Sequence, residues 1–255
     1  GEHLKGDNKV IVGVTRLNAL FLSTAVQLKH QQLQPIFTWV RKLRTQNLGG
    51  TLRMVIEQSI ARIFESGEYP TLPFGGEEET IQERFMTLLR TADLGIIGLK
   101  VERDGERGRV RFQVKHQSDE DEAWLPLTKE SKGTQTLFRS ALSILEVLRS
   151  GGVLLFDELE ASLHPVLAQR IVRQFNDPKS NPHNSQLIFT THDTNLLGTT
   201  MGDPALRRDQ VWLTEKDSKG ATVLYPLTNF KPRKAENLER GYIQGRYGAI
   251  PFLAN

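Results

Sequence analysis

Two short apolar runs, each preceded by a helical pattern, constrain the fold of this 255-residue chain more than any other feature. The runs span residues 153–156 and 187–190, and the helical patterns at 134–148 and 166–175 precede them. Wholly apolar strands of this length are typical of parallel strands whose two faces are both covered by helices. The sequence therefore predicts an α/β fold with a largely parallel sheet in its carboxyl-terminal half.

The amino-terminal part of the chain has apolar residues mostly at helical spacing. Helical patterns are expected at residues 17–45, at 52–65 and from the acidic run 77–79 onward, where acids favour a helix N-terminus. Pro35 leaves two helices or one kinked helix open. The run 9–14 is interpreted as a strand, with a buried helix turn as the alternative, and 69–76 as a loop. The region 1–95 is predicted to be a helical subdomain or insert with an initial strand.

From residue 96 the apolar pattern changes to a period of two. Alternating runs at 96–101 and 108–114 flank Asp104-Gly105, a dipeptide typical of tight hairpin turns. A third strand is expected at 123–127, and a further hairpin near the end of the core at 210–225. The predicted divisions are a β-hairpin region (96–129), an α/β core (130–230) and a tail (231–255).

Composition excludes several classes of protein. Hydrophobic residues make up 38% and charged residues 25%, a balance typical of a soluble globular protein, and there is no cysteine for disulfides. No apolar run approaches the roughly 20 residues that a membrane helix needs, so no membrane partner is expected. The net charge of +3 is too small to indicate a nucleic-acid ligand by itself. These features suit a cytoplasmic location.

The chemistry centres on two adjacent carboxylates, Asp157 and Glu158, which follow the apolar run 153–156. The carboxyl ends of parallel strands are where α/β proteins bind ligands. Of two neighbouring carboxylates at such an edge, one can hold Mg²⁺ while the next faces a water molecule beside it. An acidic turn without function is the alternative for an isolated pair.

Two further segments accompany this pair. His192 follows the second apolar run, and Ser131-Lys132-Gly133-Thr134 opens the helix that leads into the carboxylate strand. A small-residue turn at a helix N-terminus directs backbone N–H groups and a positive dipole end outward, which favours an anion. Taken singly, the turn is usually an N-cap and the histidine usually structural.

In this order and spacing the segments resemble the head of an ABC-type ATPase, with its signature motif, Walker B, D-loop and switch histidine. Residues 156–165 are similar to the "DE-x-E-x-x-LHP" form found in RecF, SMC and OLD proteins rather than in transporters. The segments 18–23, 130–134 and 245–253 resemble one branch of that group. This branch contains bacterial ATP-binding proteins that accompany RloB-like or other nucleases in phage defence and abortive infection.

The resemblance implies a P-loop NTPase fold, with ATP and Mg²⁺ as cofactors. It assigns Asp157 to Mg²⁺, Glu158 to the attacking water as general base, and His192 to the γ-phosphate, whose loss it would sense. Phosphoryl transfer depends on positioning and charge stabilisation, so these groups act only when assembled around the nucleotide.

The resemblance also implies a head-to-head homodimer or higher oligomer. Ser131, Gly133 and Thr134 would contact the nucleotide held by the second subunit, and Leu163 and His164 of the D-loop would couple the two sites. The implied function is nucleotide-dependent dimerisation that regulates a nuclease or toxin effector. Two alternatives stay open: a non-hydrolysing, nucleotide-gated interaction subunit, and a RecF/SMC-like DNA-repair ATPase.

Two elements of the family pattern are not found. The dipeptide Gly-Lys does not occur, so no P-loop is present, and the chain alone is expected to be inactive. A convincing Q-loop glutamine is also missing, because Gln27, Gln31, Gln32 and Gln34 lie in a helical pattern. We expect the carboxyl-terminal part of a longer protein, since the Asp157-Glu158 pair is intact and the first residue is not Met. A degenerate subunit that only donates its signature to a partner is the alternative.

Basic residues and the tail suggest further partners. The hairpin region carries a basic cluster, consisting of Arg103, Arg107, Arg109, Arg111 and Lys115, and smaller clusters occur at 41–44 and 231–234. Such clusters could bind a DNA or RNA backbone, or could simply form a solvated surface. In the tail, Tyr247 and Phe252 could pack in the core or form a docking strip for a partner, and the docking strip is slightly favoured.

Overall fold

The computed structural model describes residues 4–6, 8–46, 50–66, 71–74, 77–92, 95–103, 105, 109–117, 124–161, 163–200, 202–231 and 236–250. In this part of the chain the helices are α1 (Asn8–Val14), α2 (Phe21–Gln27), α3 (Gln34–Val40), α4 (Gly50–Ser66), α5 (Ile81–Ala92), α6 (Lys132–Ser150), α7 (Pro165–Asn176) and α8 (Leu238–Ile243). The strands are β1 (Leu43–Gln46), β2 (Thr71–Phe74), β3 (Glu77–Thr80), β4 (Ile96–Arg103), β5 (Val110–His116), β6 (Trp124–Pro126), β7 (Val153–Phe156), β8 (Gln186–Phe189), β9 (Trp212–Lys216) and β10 (Thr222–Pro226).

A parallel sheet of order β1-β7-β8 carries the predicted apolar strands. Leu154 and Phe156 of the central strand β7 are buried at 0% and 2% exposure, which confirms the prediction of a covered parallel strand. The strand β1 is a correction, because residues 43–46 were expected to continue a helix. Its pairing with β7 is a long-range contact that overrides the local helical pattern.

The helix α6 crosses the sheet and supplies much of the core. Ser131 is its N-cap, and Gly151 ends it in the left-handed conformation at φ 68°. A Cβ atom at Gly151 would lie 2.9 Å from the carbonyl oxygen of His183, so the turn requires glycine. An ion pair of 3.6 Å between Arg44 of β1 and Glu146 ties the carboxyl-terminal part of α6 to the sheet.

The antiparallel parts confirm the predicted hairpins and add one. β4, β5 and β6 form an antiparallel sheet, and β9 pairs with β10. The segment 69–76 was expected to be a loop and 77–79 a first helical turn, but β2 and β3 pair as a hairpin. Here a capping box sets the start of α5: Thr80 Oγ1 accepts the Glu83 N–H at 3.2 Å, and Glu83 Oε2 accepts the Thr80 N–H at 2.7 Å.

At the amino terminus the strand expected over residues 9–14 is the helix α1. Ile11 is its buried residue and packs with Ala25 and Leu33. A strand over residues 9–14 would instead place alternate residues on two faces. Pro35 lies in the first turn of α3, where its missing N–H costs no helical hydrogen bond. The sequence left two helices or one kinked helix open, and the structure has two separate helices.

Two hydrophobic clusters meet at consecutive residues. The main cluster packs α4, α5, α6 and α7 against the sheets, and includes a row of edge-to-face rings, Phe64, Phe85, Phe138 and Phe112. The second cluster lies under the β9-β10 hairpin and contains Leu213, Leu227 and Leu238. In the 3-10 helix Thr194–Leu197, Leu196 enters the main cluster and Leu197 packs against the second.

The tail packs on the second cluster. Tyr247 is 3% exposed, and its hydroxyl donates to Glu236 Oε1 at 2.8 Å. The Tyr225 hydroxyl donates to the Tyr247 carbonyl oxygen at 3.0 Å. The docking interpretation is thus wrong for Tyr247, which is core, while Phe252 lies outside the described residues. No helix among those described is long and apolar enough to cross a membrane. The divisions at residues 95, 129 and 230 stay predictions.

Candidate functional site

The strand β7 delivers both predicted carboxylates to the carboxyl edge of the parallel sheet. Asp157 and Glu158 follow Phe156 directly, between the ends of β1 and β8, and both side chains are exposed. Glu158 has a left-handed backbone at φ 49°, which costs a non-glycine residue about 1 kcal/mol. Such a conformation persists only where surrounding contacts hold it.

Thr190 supplies these contacts. Its hydroxyl donates to Asp157 Oδ1 at 2.6 Å and accepts the backbone N–H of Glu158 at 2.8 Å. Backbone bonds continue the link, because the Thr190 N–H donates to the Phe156 carbonyl oxygen at 3.1 Å and Leu159 N–H to the Thr190 carbonyl oxygen at 3.0 Å. Sequence reasoning did not assign Thr190 a role, although its position at the exit of the neighbouring strand was a usable signal.

His192 lies two residues further along, with its side chain exposed. Its backbone N–H donates to Glu160 Oε1 at 2.7 Å, which ties the histidine loop to the turn after the carboxylates. Burial would raise the pKa of Glu160, but hydrogen bonds from the Thr191 hydroxyl and the His192 N–H outweigh it and lower that pKa below its ordinary value. Glu160 is the second glutamate of the DE-x-E motif, but the sequence analysis gave it no role.

The predicted signature turn caps α6. Ser131 Oγ accepts the Thr134 N–H at 3.1 Å and lies 2.8 Å from Thr134 Oγ1. Ser131 and Lys132 are exposed and Gly133 is half-buried, whereas Thr134 is 4% exposed. The side chain of Thr134 therefore serves the cap, and a ligand would meet the Ser131 hydroxyl and the first backbone N–H groups of the helix.

The D-loop residues differ in exposure. Leu163 is 6% exposed and belongs to the main hydrophobic cluster. His164 is exposed and is the N-cap of α7, where its Nδ1 accepts the Val166 N–H at 3.3 Å. Leu163 thus fixes the predicted D-loop to the core, and His164 is its exposed side chain.

The site residues fall into two groups. The carboxylates and the His192 loop share the sheet edge, whereas Ser131 begins a helix of 19 residues that is about 28 Å long. The strand β7 has four residues and is about 13 Å long. The whole of α6 and β7 therefore separates Ser131 from the carboxylates along the chain.

One glutamine also ends at this edge. Gln46 is the last residue of β1 and pairs in register with Phe156, the residue before Asp157. The sequence analysis considered only Gln27, Gln31, Gln32 and Gln34, which lie in a helical pattern, and did not consider Gln46.

Residues 28–198 match the model of the family described as "AAA domain, putative AbiEii toxin, Type IV TA system". The chain belongs to this family. Membership confirms the predicted P-loop NTPase fold and makes the chain an ABC-like, ATPase-type domain that resembles abortive-infection AAA proteins. No curated protein matches it.

Two solved structures are similar to this AAA domain. One, from work described as "Structural biochemistry of ATP-driven dimerization and DNA stimulated activation of SMC ATPases", is 12% identical with a TM-score of 0.44, over 74% of this chain and 97% of its own. The other is the Smc head domain with an extended coiled coil bound to the C-terminal domain of ScpA, from Pyrococcus furiosus. It is 13% identical with a TM-score of 0.36, over 87% of this chain and 48% of its own.

The donor set of the AAA domain fits one half of a Mg-nucleotide site. Mg²⁺ in proteins is usually held by one or two carboxylates together with phosphate oxygens and water. Asp157 offers such a carboxylate in a fixed orientation through Thr190. In the part of the chain that the structure describes, no group of three or more His, Cys, Asp or Glu side chains forms a complete metal cage. The edge therefore fits an ion shared with a ligand.

The basic clusters are partly neutralised. Arg103 makes two 2.7 Å hydrogen bonds to the carboxylate of Glu65, and Lys100 lies 3.3 Å from Glu102. Arg109 is exposed, and Lys115 is half-buried. Arg107, Arg233 and Lys234 lie outside the described residues. Nucleic-acid binding by the hairpin stays a prediction. Neighbouring carboxylates neutralise part of the positive charge that the sequence suggested for it.

Proposed function

We propose that this AAA domain hydrolyses Mg-ATP as an ABC-type head, dimerises on nucleotide and regulates an effector protein. The observation that carries the proposal is the adjacent pair Asp157 and Glu158, held at the sheet edge by Thr190. Asp157 would hold Mg²⁺, which supplies positive charge to the phosphate oxygens when bound. Glu158 would orient the attacking water and take its proton.

The contacts of Thr190 support this division of roles. Thr190 binds Asp157 through the carboxylate but binds Glu158 through the backbone N–H. The first contact fixes a carboxylate in the orientation that an ion requires. The second fixes the left-handed backbone of Glu158 and leaves its carboxylate outside this hydrogen bond, which suits a group that must accept a proton.

The signature turn would act on a second subunit, as the resemblance to ABC-type heads implies. Ser131 and Gly133 stand at the beginning of α6, and the whole of α6 and β7 separates them along the chain from the carboxylates. We therefore propose a head-to-head dimer, with Ser131 and Gly133 facing the partner's nucleotide. Thr134 would contribute its cap rather than its side chain, and His164 would be the D-loop group that faces the other head.

The open edge of the sheet supports a second contributor to the phosphate site. β8 is an edge strand, and Ile188 is 57% exposed in a parallel sheet, whose faces are normally covered. A phosphate-binding loop that adds to this edge would complete both the sheet and the nucleotide site. It would come from further sequence of the same polypeptide or from a separate subunit.

The effector role rests on the family. The family description names a toxin of a Type IV toxin–antitoxin system. Together with the resemblance to nuclease-associated ATP-binding proteins, this supports a nuclease or toxin partner controlled by nucleotide state, acting in the cytoplasm in phage defence. Co-expression of the tagged chain with candidate nucleases, with and without ATP, tests the association.

The test of hydrolysis compares Glu158→Gln with Asp157→Asn in the nucleotide-binding protein, with its P-loop in place. Glu158→Gln should reduce turnover at least 100-fold while ATP-dependent dimers accumulate in size-exclusion chromatography with light scattering. Asp157→Asn should weaken Mg²⁺-dependent nucleotide binding itself. Glu65→Gln, an equal change in an exposed ion pair, is the control and should leave both unchanged.

Two outcomes would reject parts of the proposal. Normal turnover in Glu158→Gln would exclude Glu158 as the base. ATP-dependent dimers without any hydrolysis in the parent protein would favour the non-hydrolysing interaction subunit.

A further inference from the structure

A carboxylate joins the turn after Glu158 to the switch-histidine loop. We propose that Glu160 is the positioning residue that holds the backbone of His192 to the D-loop, so that the two loops move as one unit. The inference rests on the proposed function, in which the D-loop faces the second head and His192 faces the nucleotide. Glu160 would then transmit dimer contact to the switch histidine.

The contacts of Glu160 form a cross-link between segments that are distant in sequence. Oε1 accepts the His192 N–H at 2.7 Å, and the Thr191 hydroxyl also binds the carboxylate. The other oxygen, Oε2, is buried and has no hydrogen-bond partner. A hydrogen bond to an ionised acceptor is roughly twice as strong as a neutral one, so the Thr191 and His192 contacts together hold the carboxylate at this loop.

The turn that carries Glu160 is anchored at both ends. The Ala161 N–H donates to the Glu158 carbonyl oxygen at 2.8 Å, and the Leu163 N–H to the Glu160 carbonyl oxygen at 3.0 Å. Leu159 and Leu163 are buried at 0% and 6% exposure. The carboxylate therefore extends from a fixed backbone, and a displacement of this backbone is passed to His192.

The histidine side chain depends on this anchor. His192 is exposed, so packing does not fix its imidazole, and the backbone N–H is one bond from its Cα. On the far side, Asp193 Oδ1 accepts the Asn195 N–H at 3.0 Å and caps the helix Thr194–Leu197. On the amino-terminal side of His192, Thr190 holds the loop to Asp157. Among these three anchors Glu160 is the one that leads to the D-loop.

The direct test measures amide hydrogen exchange of His192 by NMR in this chain. Glu160→Ala removes the acceptor and should speed exchange about 10- to 100-fold, the factor expected for a hydrogen bond to a charged group. Glu160→Gln retains a carbonyl acceptor but loses the charge, so its exchange should lie between that of the parent and that of Glu160→Ala. Glu239→Gln is the matched control, since Glu239 contacts Thr194 beyond the histidine and should leave His192 protection unchanged. Unchanged protection in Glu160→Ala would overturn the inference.

The functional arm uses the nucleotide-hydrolysing protein. Glu160→Ala should lower kcat about tenfold or more with little change in KM, and Glu160→Gln should restore it. Parent-like kcat in Glu160→Ala, despite an exposed His192 amide, would overturn the positioning role. If the parent itself does not hydrolyse ATP, the proposed function fails, while the exchange result still decides whether Glu160 holds the loop.

Discussion

Removal of the Thr190 hydroxyl should release Asp157 and Glu158 from the loop that follows β8. Thr190→Val replaces the hydroxyl by a methyl group of similar shape, so packing and β-branching stay nearly the same. Two hydrogen bonds are lost, one to ionised Asp157 and one from the Glu158 N–H. Bonds to charged groups contribute about 1.5–3 kcal/mol and neutral ones about 0.5–1.5 kcal/mol.

Solvent reduces this effect, because Thr190 and both carboxylate residues are exposed. We expect a loss of about 1–2 kcal/mol in the free energy of unfolding, which for a chain of this size lowers Tm by roughly 2–4 °C. Urea and thermal unfolding of the chain measure both. Thr190→Ser retains the hydroxyl and should lie within about 0.5 kcal/mol of the parent.

A double-mutant cycle with Asp157→Ala isolates the contact. The two changes should couple by about 0.5–1.5 kcal/mol, because each removes one partner of the same hydrogen bond. Additive effects would show that Thr190 does not hold Asp157. A Thr190→Ser variant as unstable as Thr190→Val would show that the hydroxyl is not responsible.

Three further predictions follow from other contacts. Because the pKa of Glu160 is lowered, its stabilising effect is complete above the ordinary value of 4.5 and is lost as pH falls through the lowered pKa. Thermal melts from pH 3 to 6 should show this loss of stability on the acid side. Glu160→Gln should make the stability less dependent on pH in this range. Gly151→Ala places a side chain on a left-handed backbone and against the His183 carbonyl oxygen, so it should lower the free energy of unfolding in urea by about 1–3 kcal/mol. Gly105→Ala, which has open space around it, should lower the free energy of unfolding less. If the hairpin binds nucleic acid, Arg109→Glu with Arg111→Glu should abolish duplex binding at low salt in fluorescence anisotropy; equal binding by the variant excludes the hairpin.

The sequence predicted those parts of the molecule whose signal is local. The strand β7 was predicted because four apolar residues between helical patterns need a covered parallel position, wherever the neighbours lie. Asp157 and Glu158 were predicted because they follow a buried strand and occur in order with the Ser131–Thr134 turn and His192. The cap by Ser131 is likewise a property of its own turn.

Other parts depend on partners far along the chain. β1 has no apolar run of its own and becomes a strand by pairing with β7, so its residues were assigned to a helix. Thr190 and Glu160 are ordinary residues in sequence, and their roles arise only where β8 returns beside β7. The capping box at Thr80 was readable in the sequence, yet the acids before it suggested an earlier helix start.

The two neighbouring leucines of the helix Thr194–Leu197 have a consequence for engineering and evolution of this chain. Leu196 belongs to one hydrophobic cluster and Leu197 packs against the other, four and five residues after His192. A chain boundary placed inside this helix would expose one leucine or the other to solvent. The β9-β10 hairpin and α8 are therefore coupled through this helix to the loop that carries His192.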